Sequence, residues 1–251
     1  MTAPPFGFYG KLPSQGDFVG RRLPWDLTQA WDGWMQRGIQ AAREQLGSGW
    51  LDAYLSAPVW RFRLAPGLMS DSGWVGLWFA SVDRVGRHFP LMVAAPWWPS
   101  AGAAPLVSEP DTYWQRLEDR ALMALDPRTT LDQFDQLVQD QPLPAFGPTN
   151  PSTDAISIAD DAVAPGCDDK PLQAMPAVAG TALRLRLLPA DTSPIAALQA
   201  CTAADSAAMA FFSWGCERLP VSVLSASTLP GADAFSGFLT GQWPTAQCVA
   251  G

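Results

Sequence analysis

The sequence predicts a layered α/β protein, and three observations carry that prediction. Runs of strand length alternate with apolar stripes at helical spacing along most of the chain. Two runs, residues 75–82 and 89–95, are almost continuously apolar, the pattern of central strands covered on both faces. The aromatic content is heavy, with 12 tryptophans and 12 phenylalanines in 251 residues. Ten of the tryptophans precede residue 115, so the first half holds either the denser core or an aromatic surface.

Residues 6–12 read as a short strand that ends at Pro13, followed by a glycine-rich loop through Asp17. The clearest helix comes next: Leu27, Trp31, Trp34/Met35, Ile39, Ala42 and Leu46 fall on one stripe, which is more often a core face than a contact surface. Pro24 precedes it and Gly47-Ser48-Gly49 stops it. Residues 50–55 continue as a further helical turn broken by Pro58. In Val59-Trp60-Arg61-Phe62-Arg63-Leu64 apolar and basic residues alternate, which predicts a half-buried strand with Arg61 and Arg63 on one face. The stretch between the two apolar strands then becomes a hairpin-like connection.

Two helices follow, one capped by Ser108 with Trp114, Leu117, Ala121, Leu122 and Leu125 as its stripe. The other opens on a Thr130–Gln133 capping box and carries Leu131, Phe134 and Leu137/Val138. Residues 140–180 are acidic, interrupted by seven prolines and without apolar period, and read as a linker or loop. Beyond it, residues 182–188, 210–214 and 221–226 read as strands, 194–208 as an alanine-rich helix and 233–239 as a short helix.

Composition excludes several functions. The net charge is −8, and residues 101–251 carry seven Lys/Arg against seventeen Asp/Glu, so the phosphate-neutralising charge of a nucleic-acid binder is missing. No basic-then-apolar leader opens the chain and no apolar run nears the ~20 residues of a membrane span, so a cytoplasmic protein is expected. Cys167, Cys201, Cys216 and Cys248 lack Cys-x-x-Cys spacing and read as free thiols, and no metal or cofactor is expected. Charged residues are only 16% of the chain, which leaves apolar surface for a partner to cover.

Two motifs place charges in a tightly specified backbone: Gly7-Phe8-Tyr9-Gly10-Lys11-Leu12-Pro13-Ser14-Gln15-Gly16-Asp17-Phe18, and Ser81-Val82-Asp83-Arg84-Val85-Gly86-Arg87-His88-Phe89-Pro90-Leu91. His88 is the only histidine, which rules out His-Glu-x-x-His and every two-histidine metal centre. P-loop, dinucleotide-binding and Gly-x-Ser-x-Gly signatures are absent as well. A hydrolase remains open on sequence grounds, with Ser14 or Ser81 as nucleophile, His88 as base and Asp83 or Asp17 as orienting carboxylate. Against it, Arg84 and Arg87 flank His88 and would lower its pKa, and Arg84 would compete for Asp83. The plain structural reading makes Asp83-Arg84 an ion pair that fixes a turn, and Lys11 a solvated strand end.

Taken in order, these motifs, the Trp-containing helix and Ser56-Ala57-Pro58-Val59-Trp60-Arg61-Phe62 resemble the TagF (ImpM) family of type VI secretion-associated proteins; Phe212-Ser213-Trp214-Gly215, Leu229-Pro230 and Phe235 fit more loosely. The resemblance implies an α/β fold with a mixed sheet flanked by helices, an α/β/α layering with a likeness to longin-type modules. It divides the chain into a core over 1–140, a proline-rich linker or loop over 141–180, and a C-terminal α/β segment over 181–251 on the same sheet. It also implies a non-catalytic cytoplasmic protein that represses the secretion system after translation by binding its forkhead-associated (FHA) scaffold protein. A structural subunit of the machine is the remaining alternative.

On this reading the candidate protein-binding residues are Tyr9, Lys11, Ser14, Asp17, Phe18, Asp83, Arg84, Arg87 and His88, rim charges around an aromatic anchor drawn from Tyr9, Phe18 or Trp25. Lys11→Ala and Arg87→Ala are then expected to weaken scaffold binding with stability near wild type.

Overall fold

The structure is a computed structural model that describes residues 6–97, 111–141, 184–187 and 208–243. Its centre is one eight-stranded sheet in the order β2-β1-β5-β4-β3-β7-β8-β6. The strands are β1 (Gly7–Lys11), β2 (Phe18–Arg21), β3 (Trp60–Leu64), β4 (Gly73–Phe79), β5 (Leu91–Trp97), β6 (Arg184–Leu187), β7 (Met209–Ser213) and β8 (Ser222–Ala226). The helices are α1 (Trp25–Leu46), α2 (Trp50–Leu55), α3 (Asp111–Leu122), α4 (Leu131–Gln139) and α5 (Ser236–Thr240).

Among the described residues every strand pairing is antiparallel, which corrects the expectation of a mixed sheet. The reason is where the helices fall in the chain. β3, β4 and β5 follow one another without an intervening helix and pair as a meander, whereas parallel neighbours need a crossover connection. α1 and α2 instead lie in the connection between β2 and β3, which are not neighbours.

Side chains alternate across the sheet and divide between two cores. Trp74 and Trp78 of β4 join Trp60, Phe62 and Leu64 of β3, Phe211 of β7 and the buried stripe of α1 (Leu27, Trp31, Trp34, Met35, Ile39) with Phe235 and Phe238. Val75, Leu77 and Phe79, the alternate residues of β4, join Phe8, Leu91, Val93 and Phe212 with Trp114 and Leu117 of α3 and Phe134 and Val138 of α4. The sheet is thus covered on both faces, as the continuous apolar runs predict. The α1 stripe is core, with Trp31 fully buried and Trp34 nearly so.

β3 departs from its expected pattern. Arg61 and Arg63 do share one face, but that face is buried, at 2% and 8% exposure. Arg61 pairs with Glu118 of α3 at 2.8 Å and lies over the rings of Trp214 and Phe212, while Arg63 lies over Trp97. A carboxylate and aromatic faces replace the water that the alternation implied.

β2 matches no element expected from the sequence. Its exposed residues and central Gly20 hide a four-residue edge strand that only pairing with β1 defines. The Thr130 capping box opens α4 as expected, with both reciprocal bonds formed. Ser108, the 141–180 segment apart from Gln141, the 194–208 helix except Ala208, and Cys167, Cys201 and Cys248 lie outside the described residues. Among the described residues no helix is long and apolar enough to cross a membrane.

Candidate functional site

β1 and β5 run antiparallel as neighbours, with Tyr9 opposite Met92 and Gly7 opposite Ala94. This register carries the loop after β1 (residues 12–17) alongside the connection from β4 to β5 (residues 81–88). The close approach demands glycine at position 10, where φ is +145° and an added Cβ would lie 2.2 Å from the Pro90 carbonyl oxygen. The two motifs, seventy residues apart in sequence, therefore form one site.

The 81–89 connection is a tight hairpin. Val82 bridges His88, the Asp83 N–H donates to the Arg87 carbonyl at 3.0 Å, and the Gly86 N–H donates to the Asp83 carbonyl at 2.9 Å. Gly86 closes it with φ +83°, a left-handed position that suits glycine at the end of a three-residue hairpin loop.

Asp83 is the hub. Its Oδ2 accepts from Lys11 Nζ at 2.8 Å and from Arg87 Nε at 2.6 Å. Its Oδ1 accepts from the backbone N–H groups of Val85 at 3.1 Å and Arg87 at 2.8 Å. Burial pushes the Asp83 carboxyl up, but these four donors together outweigh it and hold the group well below the usual carboxylate range.

Further bonds fuse the two loops. Ser81 Oγ donates to the Lys11 carbonyl at 2.7 Å, the Arg84 N–H donates to the Gln15 carbonyl at 2.8 Å, and the Arg87 guanidinium donates to the Gly16 carbonyl. Below them the Tyr54 hydroxyl donates to the Ser81 carbonyl and accepts from its N–H, anchoring the hairpin to α2.

The aromatic residues of the first motif roof this hub. Phe18 stacks on Tyr9 at 5.7 Å, meets Phe89 edge-on at 4.8 Å, and lies 5.1 Å from Lys11 Nζ. Asp17 accepts from the Phe18 N–H at 2.8 Å and is otherwise exposed. The Tyr9 hydroxyl donates to Asp32 of α1 at 3.0 Å; burial and that carboxylate raise its pKa well above the ordinary value.

Several expected roles change. Lys11 is not a solvated strand end: it and Asp83 are 5% and 2% exposed. Asp83 pairs with Lys11 and Arg87 rather than with Arg84, because the hairpin bends Arg87 back over the carboxylate while Arg84 sits at the tip. His88 does have a lowered pKa, but burial is the main cause, followed by Arg43 and Lys11 rather than its sequence neighbours. Its ring sits edge-on against Trp50 at 5.3 Å and Tyr54 at 5.5 Å, with Arg43 stacked over Trp50.

Ser14, His88 and Asp83 do not form a hydrogen-bonded triad. Among the described residues the buried Ser14 hydroxyl has no hydrogen-bond partner, and the Asp83 oxygens are taken by the donors named above. Ser81, the other nucleophile considered, spends its proton on the Lys11 carbonyl.

Sequence reasoning missed Tyr54, Ser81 as a tie, and Arg43. None stands in a motif that announces its partner, and only the end of α1 followed by α2 brings Arg43 and Tyr54 to the hairpin. The exposed part of the site is small: Val85 is 69% and Phe18 38% exposed, and the side chains of Arg84 and Arg87 reach solvent.

A family model described as the TagF N-terminal domain, type VI secretion system-associated, matches residues 7–140. The crystal structure of PA0076 from Pseudomonas aeruginosa PAO1 is similar over 98% of this chain and 99% of that one, with 30% sequence identity and a TM-score of 0.67. No curated protein matches the chain.

Proposed function

The chain belongs to the TagF family of type VI secretion-associated proteins, and from that premise we propose that it is a non-catalytic, cytoplasmic repressor of the secretion system that acts by binding the FHA scaffold protein. Its place as a type VI secretion accessory protein follows from the family; the repression, the partner and the lack of catalysis are the proposal.

The observation that carries the reading is how the site spends its charges. Asp83 satisfies Lys11, Arg87 and two backbone donors at once, so the ionisable groups at the centre of the two motifs hold loops together. A general base or nucleophile needs a free lone pair or proton within about 3 Å of its target. A loop pair stiffened by buried bonds, with arginines and apolar side chains at its surface, suits recognition of a protein surface, since a stiff loop loses little entropy on binding.

Two measurements test the proposal. The purified protein is expected to capture the FHA scaffold of its own secretion system, and deletion of its gene is expected to raise effector release. Unchanged secretion together with no capture would overturn it. Esterase or peptidase turnover that disappears in Ser14→Ala would overturn the non-catalytic part.

A further inference from the structure

The two motifs do not contribute equally to a contact surface. Lys11 and Asp83 lie under it. What stands out is the hairpin tip, where Arg84 and Val85 occupy the two central positions of the turn closed by the Asp83 carbonyl and Gly86 N–H. Val85 is 69% exposed, while the Asp83 side chain two residues earlier is fully buried, so no carboxylate of the hairpin faces solvent beside it.

Arg84 and Arg87 flank this valine. The Arg87 side chain is 57% exposed although its Nε holds Asp83, and the Arg84 guanidinium has no hydrogen bond or ion pair among the described residues. Phe18, on the roof of the same hub, adds an exposed aromatic edge. The tip is thus an apolar knob between two cations in a chain whose net charge is −8.

We infer that the hairpin tip Arg84-Val85-Gly86-Arg87, with Phe18, is the contact element, and that its partner is an acidic protein face with a shallow apolar depression that receives Val85 between carboxylates paired to Arg84 and Arg87. The inference rests on the proposed binding of the FHA scaffold and names the surface used. Charge complementarity selects the partner: an uncompensated guanidinium at a turn apex gains most from a carboxylate, and an arginine fork binds one bidentately. Lys11 and Asp83 are positioning residues here, since their bonds set the tip's direction before any partner arrives. Prior rigidity lowers the entropy lost on binding and so acts on affinity from beneath the surface.

The test measures binding of the full chain to its FHA scaffold by biolayer interferometry. Arg84→Glu and Val85→Asp are each expected to weaken binding by about tenfold or more. Arg84→Ala is expected to lower the association rate and flatten its dependence on salt. Met123→Asp, on the exposed apolar residue that follows α3, is expected to bind as wild type. Melting temperatures of the tip variants should match wild type, because neither side chain makes a bond the fold uses; if Val85→Asp melts early, the two Arg84 variants decide. Wild-type binding that all tip variants retain overturns the inference and leaves the parent reading standing. Failure of the wild-type chain to bind the scaffold overturns the parent reading and this one with it.

Discussion

Two ion clusters tie the β1–β2 hairpin to distant parts of the chain, and they do so on opposite terms. At one end Lys11, Asp83 and Arg87 form a knot whose Asp83 side chain is fully buried and whose Lys11 side chain is 6% exposed. At the other, Arg21 and Arg22 reach Asp132 and Asp135 of α4 across surface that is partly open, with Asp132 87% exposed and the Arg21 side chain 36%, although the Asp135 side chain that both arginines meet is only 9% exposed. Both count as salt bridges, yet their energetics differ. A buried partner cannot turn to water when its mate is removed, whereas an exposed one can. The knot therefore specifies loop geometry, whereas the exposed Asp132 arm of the clasp mainly adds a tether.

The largest expected effect breaks the knot. Lys11→Met leaves Asp83 buried with one donor fewer, and the melting temperature is expected to fall by roughly 10 °C. Differential scanning calorimetry checks this, and a change under 2 °C would make the knot equivalent to the clasp. This replaces the expectation that Lys11 could be removed at no cost to stability, which assumed an exposed side chain.

Acid sharpens the same contrast. The folded pKa of Asp83 lies below its unfolded value, so its contribution to stability is complete above about pH 4 and is lost as pH falls through the folded pKa. Asp83→Asn is accordingly expected to be less stable than wild type at pH 7 and to lose less of its stability between pH 5 and pH 3. Melting curves of both proteins across that range measure it, and parallel acid limbs would count against the assignment.

His88 is expected to act in the same direction at higher pH. Burial, with Arg43 and Lys11, depresses its pKa below the ordinary 6.5, so the neutral ring favours the fold above that value and the preference is lost as pH falls. Its ring resonances should titrate below pH 6.5 by NMR, and His88→Phe should remove that pH dependence while keeping the edge contacts with Trp50 and Tyr54.

The smallest effect belongs to the clasp. Asp132→Ala is expected to lower the melting temperature by no more than about 2 °C, and the difference should vanish in 1 M salt.

Much of the local structure was legible in the sequence. The α1 stripe, the Thr130 capping box and the continuously apolar β4 and β5 depend on spacing and propensity, which neighbours in the chain determine. β2 was not legible because four residues around Gly20 have no periodicity, and only pairing with β1 makes them a strand. The burial of Arg61 and Arg63 was not legible either, since alternation with basic residues ordinarily signals a wet face and Glu118, Trp97 and Trp214 arrive from elsewhere.

For the candidate site, the two motifs, the hairpin-like connection between β4 and β5 and the dense, constrained charges were readable as such. By itself the sequence determined the family and the elements with a strong local pattern, because short-range patterns and ordered motifs encode those. Which charge meets which was decided by tertiary structure. Asp83 takes Lys11 because β1 is seated beside β5, and it takes Arg87 rather than adjacent Arg84 because the hairpin folds back over the carboxylate. Ion pairing depends on positions within a few ångströms, and those are set by strand register and burial rather than by distance along the chain.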